Sequence, residues 1–481
     1  MKTPASMTKL GIAACYTLLL TPLSGLYAAA TARADRPNIL YIVADDMGYG
    51  DCGAHGCRDV PTPNLDALAA GGIRFTDGYV TGTVCSPSRA ALMTGRYHSR
   101  DGVFDWIPPG KPGLNPGVPT LADYLRKAGY RTALVGKWHL GEQDQSHPLN
   151  RGFDEFFGFL GGGRSYWPDP PKAAPAKVNH YTQIVRSREA VAETEYTTHA
   201  FGREAVRFIE QQRGKTQPFF LCLAFNAVHT PMEAPDDYLT RFPAIEEKKR
   251  RTYAGMLSAM DDNIGRVLKA VREIGAEEQT LICFISDNGG PIVRNAPNAS
   301  MNTPLRGGKG ETWEGGVRVP FFMKWSGHLK AGTTFTQPVI QMDLTATALA
   351  LAGAEADRKW PMDGVNLMPF LNGDKQAPHA TLCWEYGKQW AIRQGQWKLT
   401  FALPAKEAKT PILGLYDLSQ DIGESRNLSS AQPDRVKQLQ AAWTRWRKEV
   451  GSNQPTPAAT ITDEGRFGPR MGRGGDNSTV R

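Results

Sequence analysis

Two apolar runs of this chain lead into acids. Asn38–Val43 runs into Asp45-Asp46, and Leu281–Ser286 runs into Asp287-Asn288. Three carboxylates and an amide form a hard, oxygen-only donor set suited to calcium, with magnesium as runner-up. Acids beside apolar runs are costly to gather unless a cation or another partner offsets their charge. Taken singly, each pair could equally be a solvated strand end or a helix cap. Two histidines follow two further apolar runs. His139, in Gly136-Lys137-Trp138-His139-Leu140-Gly141, follows Thr132–Val135, and His229, in Asn226-Ala227-Val228-His229-Thr230-Pro231, follows Phe219–Phe225. A neutral imidazole can take or give a proton near neutral pH, although a lone histidine in such a place is commonly a hydrogen-bonded structural group. Lys309 lies in the glycine-rich stretch from Arg306 to Gly316, where the backbone can approach a ligand closely. Cys85-Ser86-Pro87-Ser88-Arg89, read alone, is a thiol just before a helix with proline in its first turn.

These residues need a scaffold that brings strand ends together. From Asn38 to about Gly353, short apolar runs alternate with amphipathic segments, the pattern of strands and crossover helices in a mostly parallel sheet. The predicted fold is an α/β sandwich, a large mixed sheet between helices. In such sheets ligands gather beyond the carboxyl ends of the strands, where Asp45, Lys137, His229 and Asp287 all fall. Pro320–Trp325 is a further predicted strand. Helices are expected from Thr62-Pro63, over Thr120–Ala128, and over Glu246–Ile274 with Tyr253, Met256, Leu257, Met260, Ile264, Val267, Leu268 and Val271 facing the core.

From about Pro361 the composition shifts to short aromatic-rich strands, Thr381–Tyr386, Trp390–Arg393, Trp397–Phe401 and Leu415–Leu418, then a helix from Pro433 to Val450. This predicts a catalytic α/β domain over 35–360 and a smaller antiparallel-sheet domain over 361–452. The segment 453–481, rich in Gly, Pro, Thr and Arg, is expected to be a disordered tail. At the other end, Lys2 and Lys9 precede an apolar run from Leu10 to Leu26 and then Ala32-Arg33-Ala34, the form of a signal peptide over 1–34. The run is short for a bilayer span and is broken by Pro22 and Gly25. The expected mature protein is exported, periplasmic or secreted, with no stable membrane insertion.

The 481 residues are 41% hydrophobic and 22% charged, with a formal charge of +8 that falls to +5 when Lys2, Lys9 and Arg33 leave with the leader. So small an excess steers anions weakly, and no basic run interleaved with aromatics suggests nucleic-acid binding. Apart from Cys15 and Cys85 the cysteines are Cys52, Cys57, Cys222, Cys283 and Cys383. Cys222 and Cys283 lie in apolar runs and read as buried thiols, whereas Cys52 and Cys57 could pair or stay free.

Cys85-Ser86-Pro87-Ser88-Arg89, continuing through Thr94-Gly95-Arg96, resembles the segment that a maturation enzyme recognises in sulfatases, where the cysteine is oxidised to formylglycine. From Pro37 through Leu415–Leu428 the chain is similar to formylglycine-dependent, cysteine-type sulfatases of the alkaline-phosphatase superfamily. The resemblance implies that Asp45, Asp46, Asp287 and Asn288, with position 85, hold a divalent cation. It implies that Arg89 holds the formylglycine, that Lys137 and Lys309 bind sulfate, and that His139 and His229 move protons, His229 also touching the substrate.

The activity so implied is hydrolysis of an organic sulfate monoester, with the hydrated aldehyde as nucleophile. The expected substrate is a sulfated small molecule or the end of a sulfated carbohydrate. Alternatives are an aryl sulfatase of broad specificity, a phosphonate or phosphodiester hydrolase of the same superfamily, and a non-catalytic binder of sulfated glycans. Candidate groups of the outer pocket are His98, Asp105, Trp106, Arg164, Tyr166, Trp167, Arg294 and Trp313, each also readable as packing or surface.

Overall fold

The computed structural model describes residues 36–168, 181–292, 298–404 and 410–451, with Met1, Ala408 and the backbone of 459–461 and 467–469. The expected leader 1–34, Arg294 and the expected tail 453–481, save for one short strand pair over Ala459–Ile461 and Phe467–Pro469, lie outside the described residues.

In β1 (Asn38–Ala44) six of seven residues are buried, as expected of a parallel strand covered on both faces. In chain order there follow β2 (Ile73–Phe75), β3 (Gly78–Tyr79), β4 (Arg131–Lys137), β5 (Glu155–Phe159), β6 (Val185–Arg186), β7 (Glu189–Ala190), β8 (Phe219–Ala224), β9 (Thr280–Ser286), β10 (Phe321–Lys324), β11 (Thr333–Phe335) and β12 (Val339–Ile340). The ten-stranded sheet has the order β11-β2-β10-β9-β1-β8-β4-β5-β6-β7, and β3 and β12 form a separate pair. From β9 through β1, β8 and β4 to β5 all pairing is parallel. β10 runs antiparallel to β9, and β6 and β7 make an antiparallel edge.

Side chains alternate across a strand, so β1 feeds two cores. Leu40 and Ile42 pack with Phe201 and Phe208 of the helix Thr197–Glu210 and with Leu257 and Ile264 of the helix Lys248–Glu273. Ile39, Tyr41 and Val43 pack with Ala90 and Leu92 of the helix Cys85–Thr94 and with Leu344 and Ala348 of the helix Met342–Ala352. The long helix follows its expected periodicity, except that Leu268 is only partly buried.

The C-terminal antiparallel sheet holds β13 (Leu382–Tyr386), β14 (Gln389–Gln394), β15 (Trp397–Ala402) and β16 (Ile412–Asp417), in that order. The helix Pro433–Val450 covers it through Val436, Leu439 and Trp443, whose ring stacks on Trp390 at 4.5 Å between centroids. A buried ionic cluster ties this sheet to the rest. Lys398 Nζ lies 2.9 Å from Glu314 and 3.0 Å from Glu424, while Arg318 and Arg393 both reach Asp77. The Tyr79 hydroxyl donates to Glu314 at 2.6 Å.

Cys52 and Cys57 are free thiols, and the Cys57 thiol donates to Asp59. Among the described residues no helix is long and apolar enough to cross a membrane.

Candidate active site

The parallel register carries β1 and β9 to one edge. Ala44 is level with Ser286, and the Asp287 N–H donates to the Ala44 carbonyl at 2.9 Å, so Asp45 and Asp287 emerge side by side. Asp46 then turns with φ 65°, a left-handed backbone uncommon outside glycine. Its N–H donates to Asp287 Oδ1 at 3.2 Å, and its Oδ1 accepts from Asn288 Nδ2 at 2.7 Å. Such an outlier at a strand end is a pointer to function.

Cys85 enters this edge from the opposite side. Val84 is the extended residue before the helix, and the helix starts on Cys85 itself, one residue earlier than expected, with Pro87 in its first turn. The cysteine is buried, with Sγ 3.6 Å from Asp45 Oδ1 and 3.6 Å from Lys309 Nζ. Burial pushes the thiol up to about 12, against the opposing pull of Lys137 and Lys309. Arg89 lies four residues on, hence on the same helix face. Its Nε donates to Asp287 Oδ2 at 2.9 Å and its NH1 to the Lys137 carbonyl at 3.0 Å.

Three acids and three bases interlock here. Lys137, at the end of β4, lies 2.5 Å from Asp45, and Lys309 lies 2.7 Å from Asp46. Burial opposes ionisation of Asp46, but Lys309 and His229 outweigh it and hold the carboxyl below the usual carboxylate range. Asp287 goes the other way, raised to about 6 by burial and then by the charge of Asp45. Lys309 is raised despite burial, chiefly because Asp46 faces it.

The two imidazoles have distinct faces. His139 has φ 56°, and its Nε2 is 3.2 Å from the Ile107 carbonyl. A carbonyl only accepts, so the ring proton sits on Nε2 and the lone pair on Nδ1, a buried atom with no hydrogen-bond partner among the described residues. Burial, then Lys137 and Arg89, hold this ring well below the usual histidine range, so it is neutral. His229 is anchored the opposite way, with Nδ1 2.7 Å from the Thr230 carbonyl and Nε2 3.7 Å from Asp46. Burial leads the lowering of this ring to about 4, partly opposed by Asp46.

Ligand atoms of Asp45, Asp46, Cys85 and His229 lie within 4.8 Å of one another, a mixed set whose hard part is the two carboxylates. Asp287 stands alongside, engaged with Arg89, and Asn288 contributes a buried Oδ1 with no hydrogen-bond partner among the described residues. An orphaned amide oxygen beside three carboxylates is the chemistry a calcium or magnesium ion satisfies.

Of the residues readable as outer pocket or as packing and surface, several are packing. His98 is buried, with Nδ1 2.8 Å from the Val103 carbonyl and Nε2 3.3 Å from the Thr81 carbonyl, so its ring faces backbone on both sides. Trp313 is buried against Tyr416 and donates to the Leu403 carbonyl. The buried Tyr166 lies behind His229, its hydroxyl donating to the Asn226 and His229 carbonyls. Arg164 is buried, Trp167 packs on Tyr196 with its other side exposed, and Asp105 and Trp106 are exposed. Unforeseen in the sequence is a glycine strap, Gly161-Gly162-Gly163, over both imidazoles. A Cβ on Gly162 would fall 2.7 Å from His139 Cε1, and one on Gly163 3.3 Å from His229 Cε1. The run of three glycines was its only sequence signal.

Residues 37–354 match the family model described as Sulfatase, and residues 309–449 match the one described as N-sulphoglucosamine sulphohydrolase, C-terminal. Human N-acetylgalactosamine-6-sulfatase is 36% identical over 359 residues, 71% of this chain and 67% of its own. Human arylsulfatase A is 33% identical over 461 residues, 86% of this chain and 89% of its own. The crystal structure of Ps i-CgsB in complex with k-i-k-neocarrahexaose is similar with a TM-score of 0.80 and 37% identity, over 88% of this chain and 94% of that one. With a family match across two thirds of its length and a sheet whose strand ends gather these groups, the chain belongs to the sulfatase family, in the alkaline-phosphatase superfamily, and is a sulfatase.

Proposed function

We propose that this sulfatase removes sulfate from a sulfated carbohydrate, using formylglycine made from Cys85 and a divalent cation held by Asp45, Asp46, Asp287, Asn288 and position 85. The carrying observation is the meeting of Cys85, three acids, three bases and two histidines at one sheet edge. Once oxidised by a separate maturation enzyme, position 85 supplies a hydrated aldehyde, with one hydroxyl to attack sulfur and another to release sulfate. A cation held there, calcium ahead of magnesium, would supply positive charge at the sulfate oxygens.

The chain's own groups do the rest. Lys137 and Lys309 bind sulfate oxygens and offset charge as it shifts, an effect of about 3–4 kcal/mol for one well-placed donor. Arg89 fixes position 85 relative to Asp287 through its paired bonds. His229, pinned through Nδ1, presents Nε2 to the departing alcohol oxygen and gives it a proton. A bound sulfate monoester brings the negative charge that favours the protonated ring. His139, with its proton committed to the Ile107 carbonyl, takes a proton at Nδ1 when sulfate leaves.

The carbohydrate class rests on relatives named N-acetylgalactosamine-6-sulfatase and on a structural neighbour holding a neocarrahexaose. Export of the mature chain, periplasmic or secreted, belongs to the same reading. The test is sulfate release from a panel of defined sulfated sugars, beside an aryl sulfate and an aryl phosphodiester. Faster release from at least one sugar than from the aryl ester is expected, and a preference for the phosphodiester would overturn the reading.

A further inference from the structure

Two edges with exposed groups are tied to the site and meet at one hydrogen bond. The first is the loop Asp105-Trp106-Ile107. Ile107 ties it to the chemistry, its N–H donating to Ser86 Oγ at 3.0 Å and its carbonyl accepting from His139. The second is the tip of the β13–β14 hairpin. Gln389 Nε2 donates to the Gly310 carbonyl at 2.9 Å, and the Tyr386 ring lies 3.9 Å from where a Gly310 Cβ would stand, one residue from Lys309. Tyr386 joins the edges, its hydroxyl donating to Asp105 Oδ1 at 2.9 Å.

Trp106 is 48% exposed and makes no ring contact with any described residue, unlike Trp167, which packs on Tyr196. A large apolar ring left in water beside a polar pocket suits the C–H face of a sugar. An amphipathic aromatic contributes area there at low entropic cost. Asp105 has a different task. Its Oδ1 is held by Tyr386 and by the Trp106 N–H, while Oδ2 has no hydrogen-bond partner among the described residues. A fixed, exposed carboxylate accepts bonds from hydroxyls and repels a second sulfate.

We propose that Trp106 and the Tyr386-held Asp105 form the sugar-recognition rim of this site, selecting a ring that carries one sulfate and free neighbouring hydroxyls. The proposal rests on the carbohydrate reading above and narrows it. Tyr386 is a positioning residue, acting through Asp105.

The experiment measures kcat and KM for the wild-type enzyme, Trp106→Ala, Asp105→Asn and Tyr386→Phe. The substrates are 4-nitrophenyl sulfate and monosulfated and disulfated forms of one sugar that the wild type turns over. Trp106→Ala should cost about tenfold in kcat/KM on the monosulfated sugar, mostly through KM, the scale of one lost contact of ~1.4 kcal/mol. That loss should exceed the loss on the aryl ester by about fivefold or more. Asp105→Asn should narrow the preference for the monosulfated sugar over the disulfated one, and Tyr386→Phe should narrow it in the same sense by less. Equal losses on sugar and aryl ester, or an unchanged preference in Asp105→Asn, would overturn the rim. A wild type that cleaves the aryl ester and no sugar overturns the carbohydrate reading itself, and the rim with it.

Discussion

Two buried ionic clusters of this molecule have the same charge count and opposite character. At the strand ends, Asp45, Asp46 and Asp287 meet Arg89, Lys137 and Lys309. Between the large sheet and the C-terminal sheet, Asp77, Glu314 and Glu424 meet Arg318, Arg393 and Lys398. In the second cluster every charged side chain has an opposite charge beside it, and the Tyr79 hydroxyl adds a bond to Glu314. Both clusters hold non-glycine residues in left-handed backbone, Asp46 and His139 in the first and Glu424 in the second, and what sets the first apart is neutral groups to spare, the Asn288 Oδ1 and the His139 Nδ1, with no hydrogen-bond partner among the described residues. Charges matched within the protein tie its parts together, whereas charges beside neutral donors and acceptors left unpaired are arranged for a ligand. The same six ions thus serve cohesion in one place and chemistry in the other.

The contrast can be broken by exchanging the outcomes. Asp287→Asn keeps the shape and an acceptor for Arg89 but removes a charge from the cation set. Turnover of an aryl sulfate should fall by about 10³ or more, with a thermal midpoint close to wild type. His229→Ala comes next, costing about 10²–10⁴ on substrates with poor leaving groups. A series of aryl sulfates should give a steeper dependence of kcat on leaving-group pKa, and an unchanged slope would remove His229 from the proton-donor role. Gly162→Ala should cost up to about 10² in kcat by displacing His139, with the melting midpoint little moved, because the atoms its Cβ meets first are side-chain ends, the imidazole edge and the Tyr181 hydroxyl at 3.0 Å. Lys398→Met should have the smallest effect on catalysis. In the cohesive cluster it strands Glu424 and leaves Glu314 to Arg318 and Tyr79, and denaturant unfolding should register a loss of about 3–5 kcal/mol, with kcat per folded molecule reduced by less than about tenfold.

Much of the strand-end cluster was legible because parallel strands buried on both faces read as unbroken apolar runs. Polar residues soon after such a run lie at the carboxyl edge, which is why Asp45, Lys137, His229 and Asp287 group in the sequence itself. The Cys85 segment was legible as a contiguous motif. The cohesive cluster was not, because its partners come from distant parts of the chain, as Tyr79 with Glu314 and Arg393 with Asp77, and no local pattern marks such pairs. Tyr386, 281 residues from Asp105, escaped notice for the same reason. Trp313 reads in sequence as pocket wall or as packing, and it packs. An aromatic in a glycine-rich loop looks like a binding surface, yet here it is clamped between Arg306 and Tyr416.

The central claim is that the active protein does not carry a thiol at position 85. Cleavage after Arg74 and Arg89 gives a peptide, Phe75–Arg89, that contains Cys85 as its one cysteine. Mass spectrometry of this peptide, from enzyme produced with the maturation activity and assayed for sulfate release in the same preparation, tests the claim directly. An aldehyde at position 85, at an occupancy that rises and falls with specific activity, is the predicted result. Full activity with an intact cysteine at that position would contradict it.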